Sequence, residues 1–243
     1  RGAGWLGRAG TLTAGGKEVV LSSLALLEAE SELASLRRLV DNGCFCVEAN
    51  DMSAVQLLRE RRLPFVGGPT LNVYNHAALR LLQEDGLMRW VPGVDQGRAV
   101  IEEFRAAGAA LPEIEVIAWG RLPLAFSARC FTARALDLAK DDCGFRCIDH
   151  PEGLALATRE GEPFLNVHGI QVRSAALCDL APELPELVAA GVGLLRVYPQ
   201  PAGTAGVVAR FREAIDSGVA PARAGGINGY WHGAAGMSEV SPA

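Results

Sequence analysis

A chain of 243 residues, 49% hydrophobic and 21% charged, carries enough apolar material for one large core, since α/β barrels of roughly 200–250 residues form single domains. Its formal net charge of −5 and only 4 histidines leave no basic surplus of the kind that phosphate backbones or anionic membranes attract, so composition gives no reason to expect a nucleic-acid partner. No apolar run approaches the roughly 18 residues that span a bilayer, and the start RGAGWLGRAG lacks the apolar core and cleavage site of a signal peptide, so a cytoplasmic chain without a membrane span is expected.

In chain order, GWLGRAGTLTAGGKEVVLSSL reads as the tail of a helix, a Gly-Gly stop and a strand at about residues 18–24. A helix that feeds a parallel strand needs a strand before it, so a further N-terminal strand is expected outside this sequence. EAESELASLRRLVDNG (28–43), with apolar residues three and four apart, then CFCVEAN (44–50), a short buried-strand pattern, make one αβ unit. SAVQLLRERR with LPFVGGP, NHAALRLLQEDG with LMRWVPG, and GRAVIEEFRAAGAA with EIEVIAWG make three more. ELPELVAAG with VGLLRVYPQ (183–200) makes another, and a further helix is predicted at about 203–217.

This alternation predicts a parallel sheet covered by helices. The expected fold is a TIM-barrel-like (β/α)8 domain over 1–243, incomplete at its N-terminus; no G-x-G-x-x-G follows any strand, so a dinucleotide fold has no support. Residues 120–182 break the rhythm. Within them, LALATREGEPFLNVHGIQV (154–172) reads as a hairpin about a REGEP turn. An insertion after a strand's C-terminal end, too long for mere connection, is where chemistry is expected in such folds.

That insertion holds ARCFTARALDLAKDDCGFRC (128–147), with Cys130, Cys143 and Cys147 separated by twelve and three residues. Their neighbours include Arg129, Arg134, Lys140, Asp141, Asp142 and Arg146, a more polar setting than buried structural thiols favour, so a ligand role is expected with ordinary unliganded thiols as the plainer reading. Clustered thiolates choose zinc or an iron–sulfur cluster. A zinc site usually adds a C-x2-C pair or a histidine, and His150, three residues past Cys147, keeps zinc open; the cations would offset the negative charge of an iron–sulfur cluster, or simply form a solvated face. Cys44 and Cys46 alternate and are expected on one strand face in the core. Cys178 is expected in a turn leading to a helix.

Proteolysis would need a nucleophile beside a base or a metal-bound water, and neither G-x-S-x-G nor H-E-x-x-H is present. No histidine is spaced to serve Ser127 or Cys130; His76, His150, His168 and His232 are expected as surface or capping residues. The predicted strand ends place Glu48, Asn50, Asn72 and Arg196 as candidate lining of a cavity, with caps and a surface ion pair as the plainer roles.

The cysteine stretch extended as LPLAFSARCFTARALDLAKDDCGFRC, together with VLSSLALLEAESEL, LPFVGGPTLNVYN, MRWVPGVD, LNVHGIQ, LLRVYPQ and NGYW, resembles the collagenase-like peptidase family. The resemblance is to its branch of accessory proteins for oxygen-independent ubiquinone biosynthesis. It runs collinearly over nearly the whole chain and is most specific at the cysteines. It implies a barrel-like domain binding a [4Fe-4S] cluster through Cys130, Cys143 and Cys147, with a fourth ligand N-terminal to this sequence. It also implies a homologous UbiU-like partner and hydroxylation of the aromatic ring of a ubiquinone precursor without O2, with prephenate as oxygen donor. Two other roles stand beside it: a peptidase or RNA-modifying member of the same family, and a zinc-stapled binding scaffold.

Overall fold

The computed structural model describes residues 4–108, 110–139 and 142–241. The chain forms two compact units, one up to Trp90 and one from Val91. The first is built on parallel strands and the second combines a parallel pair with antiparallel ones, so the fold is mixed α/β as the alternation predicts. A closed barrel of eight strands is not among the described elements.

In the first unit, α1 (Gly4–Ala14) precedes four strands, β1 (Val20–Ser22), β2 (Cys46–Ala49), β3 (Phe65–Gly67) and β4 (Leu87–Trp90), with α2 (Glu30–Val40), α3 (Met52–Glu60) and α4 (His76–Glu84) between them. The strands pair in parallel in chain order. Each helix starts where its sequence satisfies the free N–H groups of its first turn. Glu32 reaches back to the N–H of Ala29 at 3.1 Å, Asp51 accepts from Ser53 N at 2.8 Å, and Asn75 accepts from Ala78 N at 2.8 Å. The apolar stripes Leu36/Val40, Val55/Leu58 and Leu79/Leu82 are buried, as are Val47, Phe65, Val66 and Leu87 of the strands. That burial, at about 25 cal/mol per Å² of apolar surface, holds the unit together.

One expectation fails here. Cys44 lies before β2 and is exposed, while Cys46 opens the strand half-buried, so the two do not share a core face. Asn42 is the cause: its Oδ1 accepts from the N–H groups of Cys44 and Phe45 and its Nδ2 donates to Phe45 O, holding the backbone in a turn until residue 46.

The second unit contains α5 (Arg98–Ala106), β5 (Glu113–Gly120), β6 (Pro123–Phe126), α6 (Phe131–Ala135), β7 (Leu154–Ala157), β8 (Pro163–His168), β9 (Gln171–Ser174), β10 (Cys178–Asp179), α7 (Leu184–Ala189), β11 (Leu194–Val197) and α8 (Thr204–Ser217). β5 pairs in parallel with β11 and antiparallel with β10. Cys178 therefore belongs to a buried strand and not to a turn. The expected hairpin is present as β7 and β8, but it is half of a four-stranded antiparallel sheet ordered β6-β9-β8-β7.

The C-terminal segment is fastened by one buried carboxylate. Glu183 Oε1 accepts from Arg223, from Asn228 Nδ2 at 2.8 Å, and faces His232 Nε2 at 3.4 Å. Asn228 in turn clamps Val240, accepting its N–H at 2.7 Å and donating to its carbonyl at 2.8 Å. Removing one member of a buried charged group strands the others without water. Glu183→Ala is expected to cost about 3–5 kcal/mol, read as a lowered midpoint in urea unfolding; a variant as stable as the parent would show that Glu183 does not fasten the segment.

Candidate functional site: the cysteine loop and its sheet

The 120–182 insertion contains both the antiparallel sheet and the cysteine stretch. The turn between β8 and β9 grips that stretch at both ends. On the Cys130 side, Ser127 N donates to Ile170 O at 2.9 Å and Phe131 N to Gly169 O at 2.7 Å, while Gly169 N donates to Thr132 Oγ1 at 3.1 Å. On the Cys147 side, His168 Nε2 lies 3.2 Å from the carbonyl oxygen of Cys147. Gly169 has φ +59°, a left-handed conformation that glycine adopts without the usual Cβ penalty, and Thr132 is only 1% exposed.

Cys130 is the N-cap of α6, with Sγ accepting from Ala133 N at 3.4 Å. Cys147 lies in a 3-10 turn (Arg146–Asp149) that α6 packs against; its Sγ reaches Phe145 O at 3.7 Å. Cys143 borders an open hollow of about 460 Å³ lined also by Leu138, Phe145, Arg146 and Ile148. All three thiols are half-buried and free of disulfides. Phe145 and Ile148 stand out from the loop, 57% and 75% exposed.

The donor set suits an iron–sulfur cluster in its chemistry: three accessible thiols, an N–H aimed at one sulfur, and the cations Arg129, Arg134 and Arg146 around them. Lys140 and Asp141, also counted as flanking charges, lie outside the described residues. Among the described residues no three His, Cys, Asp or Glu side chains are gathered in one ligand sphere. Binding a metal and ordering its ligands are coupled steps, so loop folding and cluster assembly would proceed together.

The other cysteines differ physically. Burial, then the charges of Asp179 and Glu183, pushes the Cys178 thiol from 9.0 up to about 12. Burial likewise raises Cys46.

The remaining candidates separate. In the first unit Glu48 and Asn50 meet: Asn50 Nδ2 donates to Glu48 Oε1 at 2.9 Å and to Ser22 Oγ at 2.9 Å, and Ser22 Oγ donates to Glu48 Oε1 at 3.2 Å. Thr70 Oγ1 closes the group, donating to Asn50 O at 2.6 Å. Asn72 is exposed and ends a 3-10 turn in the left-handed region, which is the plainer capping role. In the second unit Arg196 pairs with Glu115 at 2.6 Å, with both side chains largely buried, so this ion pair is not the surface pair expected.

His76 starts α4 as expected. His232 is drawn inward to Glu183 and His168 to the cysteine loop; sequence spacing signalled neither contact. Among the described residues no histidine bonds to a Ser hydroxyl or a Cys thiol, and no helix is long and apolar enough to cross a membrane.

The model of Peptidase family U32 matches residues 11–233, and the chain belongs to that family. No solved structure matches it.

Three outcomes check these assignments. In the metal-free chain at pH 8, Cys130, Cys143 and Cys147 are expected to be alkylated well before Cys178, as read by peptide mass; early labelling of Cys178 would contradict its burial. Because the Cys178 thiol ionises more readily unfolded than folded, its stabilising contribution is complete below pH 9.0 and fades as pH rises towards about 12. Cys178→Ala should remove that part of the alkaline loss. Separately, Thr132→Val strips the acceptor from Gly169 N and is expected to cost about 1–3 kcal/mol in thermal or urea unfolding.

Proposed function

We propose that this chain is a UbiV-like iron–sulfur protein that acts with a homologous UbiU-like partner in O2-independent hydroxylation of the aromatic ring of a ubiquinone precursor. The family assignment narrows the fold lineage without selecting this activity. The single observation that carries the reading is the placement of Cys130, Cys143 and Cys147 as free, half-exposed thiols in one loop held by the β8–β9 turn. A TIM-barrel-like (β/α)8 architecture belongs to the same proposal.

Cys130, Cys143 and Cys147 would hold a [4Fe-4S] cluster, with the fourth ligand supplied from outside this sequence. When bound, such a cluster moves single electrons at a potential set by N–H···S bonds, net charge and exposure. The chain's own contribution is to fix those terms. Ala133 N donates to Cys130 Sγ, Arg129 and Arg134 supply positive charge while Arg146 is paired with Asp149 at 3.2 Å, and the His168 contact at Cys147 O holds the far end of the loop. A one-electron centre must pass its electron on, and no nucleotide fingerprint in the sequence offers a second cofactor, which favours a partner with its own redox centre. Peptidase activity has no nucleophile–base pair among the described residues in its support.

The test is anaerobic purification of the protein, with any residues that precede this sequence, followed by iron, sulfide and zinc analysis. About four iron atoms per chain are expected, as in a [4Fe-4S] centre. Cys130→Ala, Cys143→Ala and Cys147→Ala should each strip or deplete the iron, and Cys178→Ala should not. Iron retained in the triple variant would overturn the ligand assignment, and stoichiometric zinc would favour the scaffold.

A further inference from the structure

Two guanidinium groups stand together on the face of the antiparallel sheet that carries the cysteine loop. β9 pairs with β6 so that Arg173 lies opposite Pro123, and Arg121 is two residues before Pro123; alternate residues share a face, so Arg121 and Arg173 are diagonal neighbours on one side of the ladder. β9 pairs with β8 so that Arg173 lies opposite Asn166 and Gln171 opposite His168. His168, which meets Cys147 O, is therefore two strand positions from Asn166, about 7 Å.

Both arginines are fixed by neutral groups. Arg121 NH1 donates to Ser174 O at 3.1 Å and to Ala175 O. Arg173 donates from Nε to Asn166 Oδ1 at 3.1 Å, and from NH2 to the same oxygen at 2.7 Å and to Glu152 O at 3.1 Å. Asn166 is 4% exposed and is itself pinned, its Nδ2 donating to Glu152 O at 2.9 Å.

Among the described residues neither arginine forms an ion pair with a carboxylate, although the charge of Glu152 acts on Arg173. Arg121 Nε is buried without a hydrogen-bond partner, whereas Arg121 NH2 and Arg173 NH1 donate to no protein group and are not enclosed. Burial, then the charge of Arg121, holds Arg173 below its ordinary value. Two like charges close enough to act on each other oppose folding.

We infer that Arg121 and Arg173 form a binding site for a small oxyanion, a carboxylate or phosphate group of a ligand, beside the cysteine loop. A planar oxyanion takes one N–H from each guanidinium, offsetting their repulsion with charge-assisted bonds of the strongest kind arginine makes. Arg121 immediately follows the C-terminal end of β5, the end at which parallel α/β strands present their ligand-binding loops. The inference does not rest on the iron–sulfur reading, and its test contains no iron.

The 243-residue chain is titrated calorimetrically with inorganic phosphate and, separately, with malonate, at constant ionic strength with chloride as the balancing anion. Saturable binding of at least one is expected, weakened about tenfold or more by Arg121→Gln and by Arg173→Gln. Malonate alone binding marks a carboxylate site, phosphate alone a phosphoryl site, and both a site for either. Should a variant fail to fold, the unmutated chain decides: saturating anion is expected to shield Arg121 and Arg173 from phenylglyoxal, read by peptide mass, while Arg212 on exposed α8 reacts as before. Absence of saturable binding, equal affinity in folded variants, or unshielded arginines would overturn the site.

Discussion

The organising constraint is the turn at residues 168–170, where a two-strand ladder ends and its exposed backbone groups are given to another part of the chain. Gly169 uses both its N–H and its carbonyl on the Cys130 segment, Ile170 gives its carbonyl to Ser127, and His168 turns to the carbonyl of Cys147. Among the described residues the stretch from 128 to 150 has a single α-helix, of five residues, too short to persist alone without these bonds. Its order is borrowed from the sheet. The left-handed backbone at Gly169 is what turns both polar groups outward at once.

The borrowing explains a division of labour within the second unit. The parallel strand β5 and its neighbour β11 are tied by ordinary burial and by the Arg196–Glu115 pair. The antiparallel sheet instead packs few apolar side chains and spends its faces on polar work: Asn166, buried, orients Arg173, and Ser174 Oγ accepts from Leu122 N at 2.9 Å while donating to Ala176 O at 2.6 Å. Buried polar groups that are fully paired fix one geometry more sharply than apolar contacts do. A sheet of this kind can hold reactive side chains at set positions while its own stability depends on the larger unit around it.

How much of this was legible in the sequence follows from the range of the interactions. The helices over 30–40, 52–60, 76–84 and 98–106 carry their own period, the first three also their own caps, and they stand where periodicity places them. The strands after them are short apolar runs and also fall within the predicted segments. β6, β9 and β10 were missed because their sequences, PLAF, QVRS and CD, have no alternation long enough to read; only their partners make them strands. Cys44 was misplaced because a local Asn42 turn outcompetes strand extension. The cysteine spacing was plain, but Thr132, Gly169 and His168 gave no signal, since what makes them matter is contact across 21 residues or more.

The same reasoning separates residues that composition treats alike. Six cysteines share one chemistry, yet burial beside two carboxylates makes Cys178 an inert thiol, while a loop raised off a sheet leaves Cys130, Cys143 and Cys147 accessible. Arginines divide in the same way: Arg196 and Arg210 meet carboxylates and serve the fold, whereas Arg121 and Arg173 are steadied by carbonyls and an amide that leave their charge uncancelled. In each case the side chain's availability is set by what its backbone neighbours already supply. A register slip of β8 by one residue against β9 would turn Asn166 and His168 away from the face that holds Arg173, so the support of Arg173 and the far anchor of the cysteine loop depend on one ladder and would be lost together.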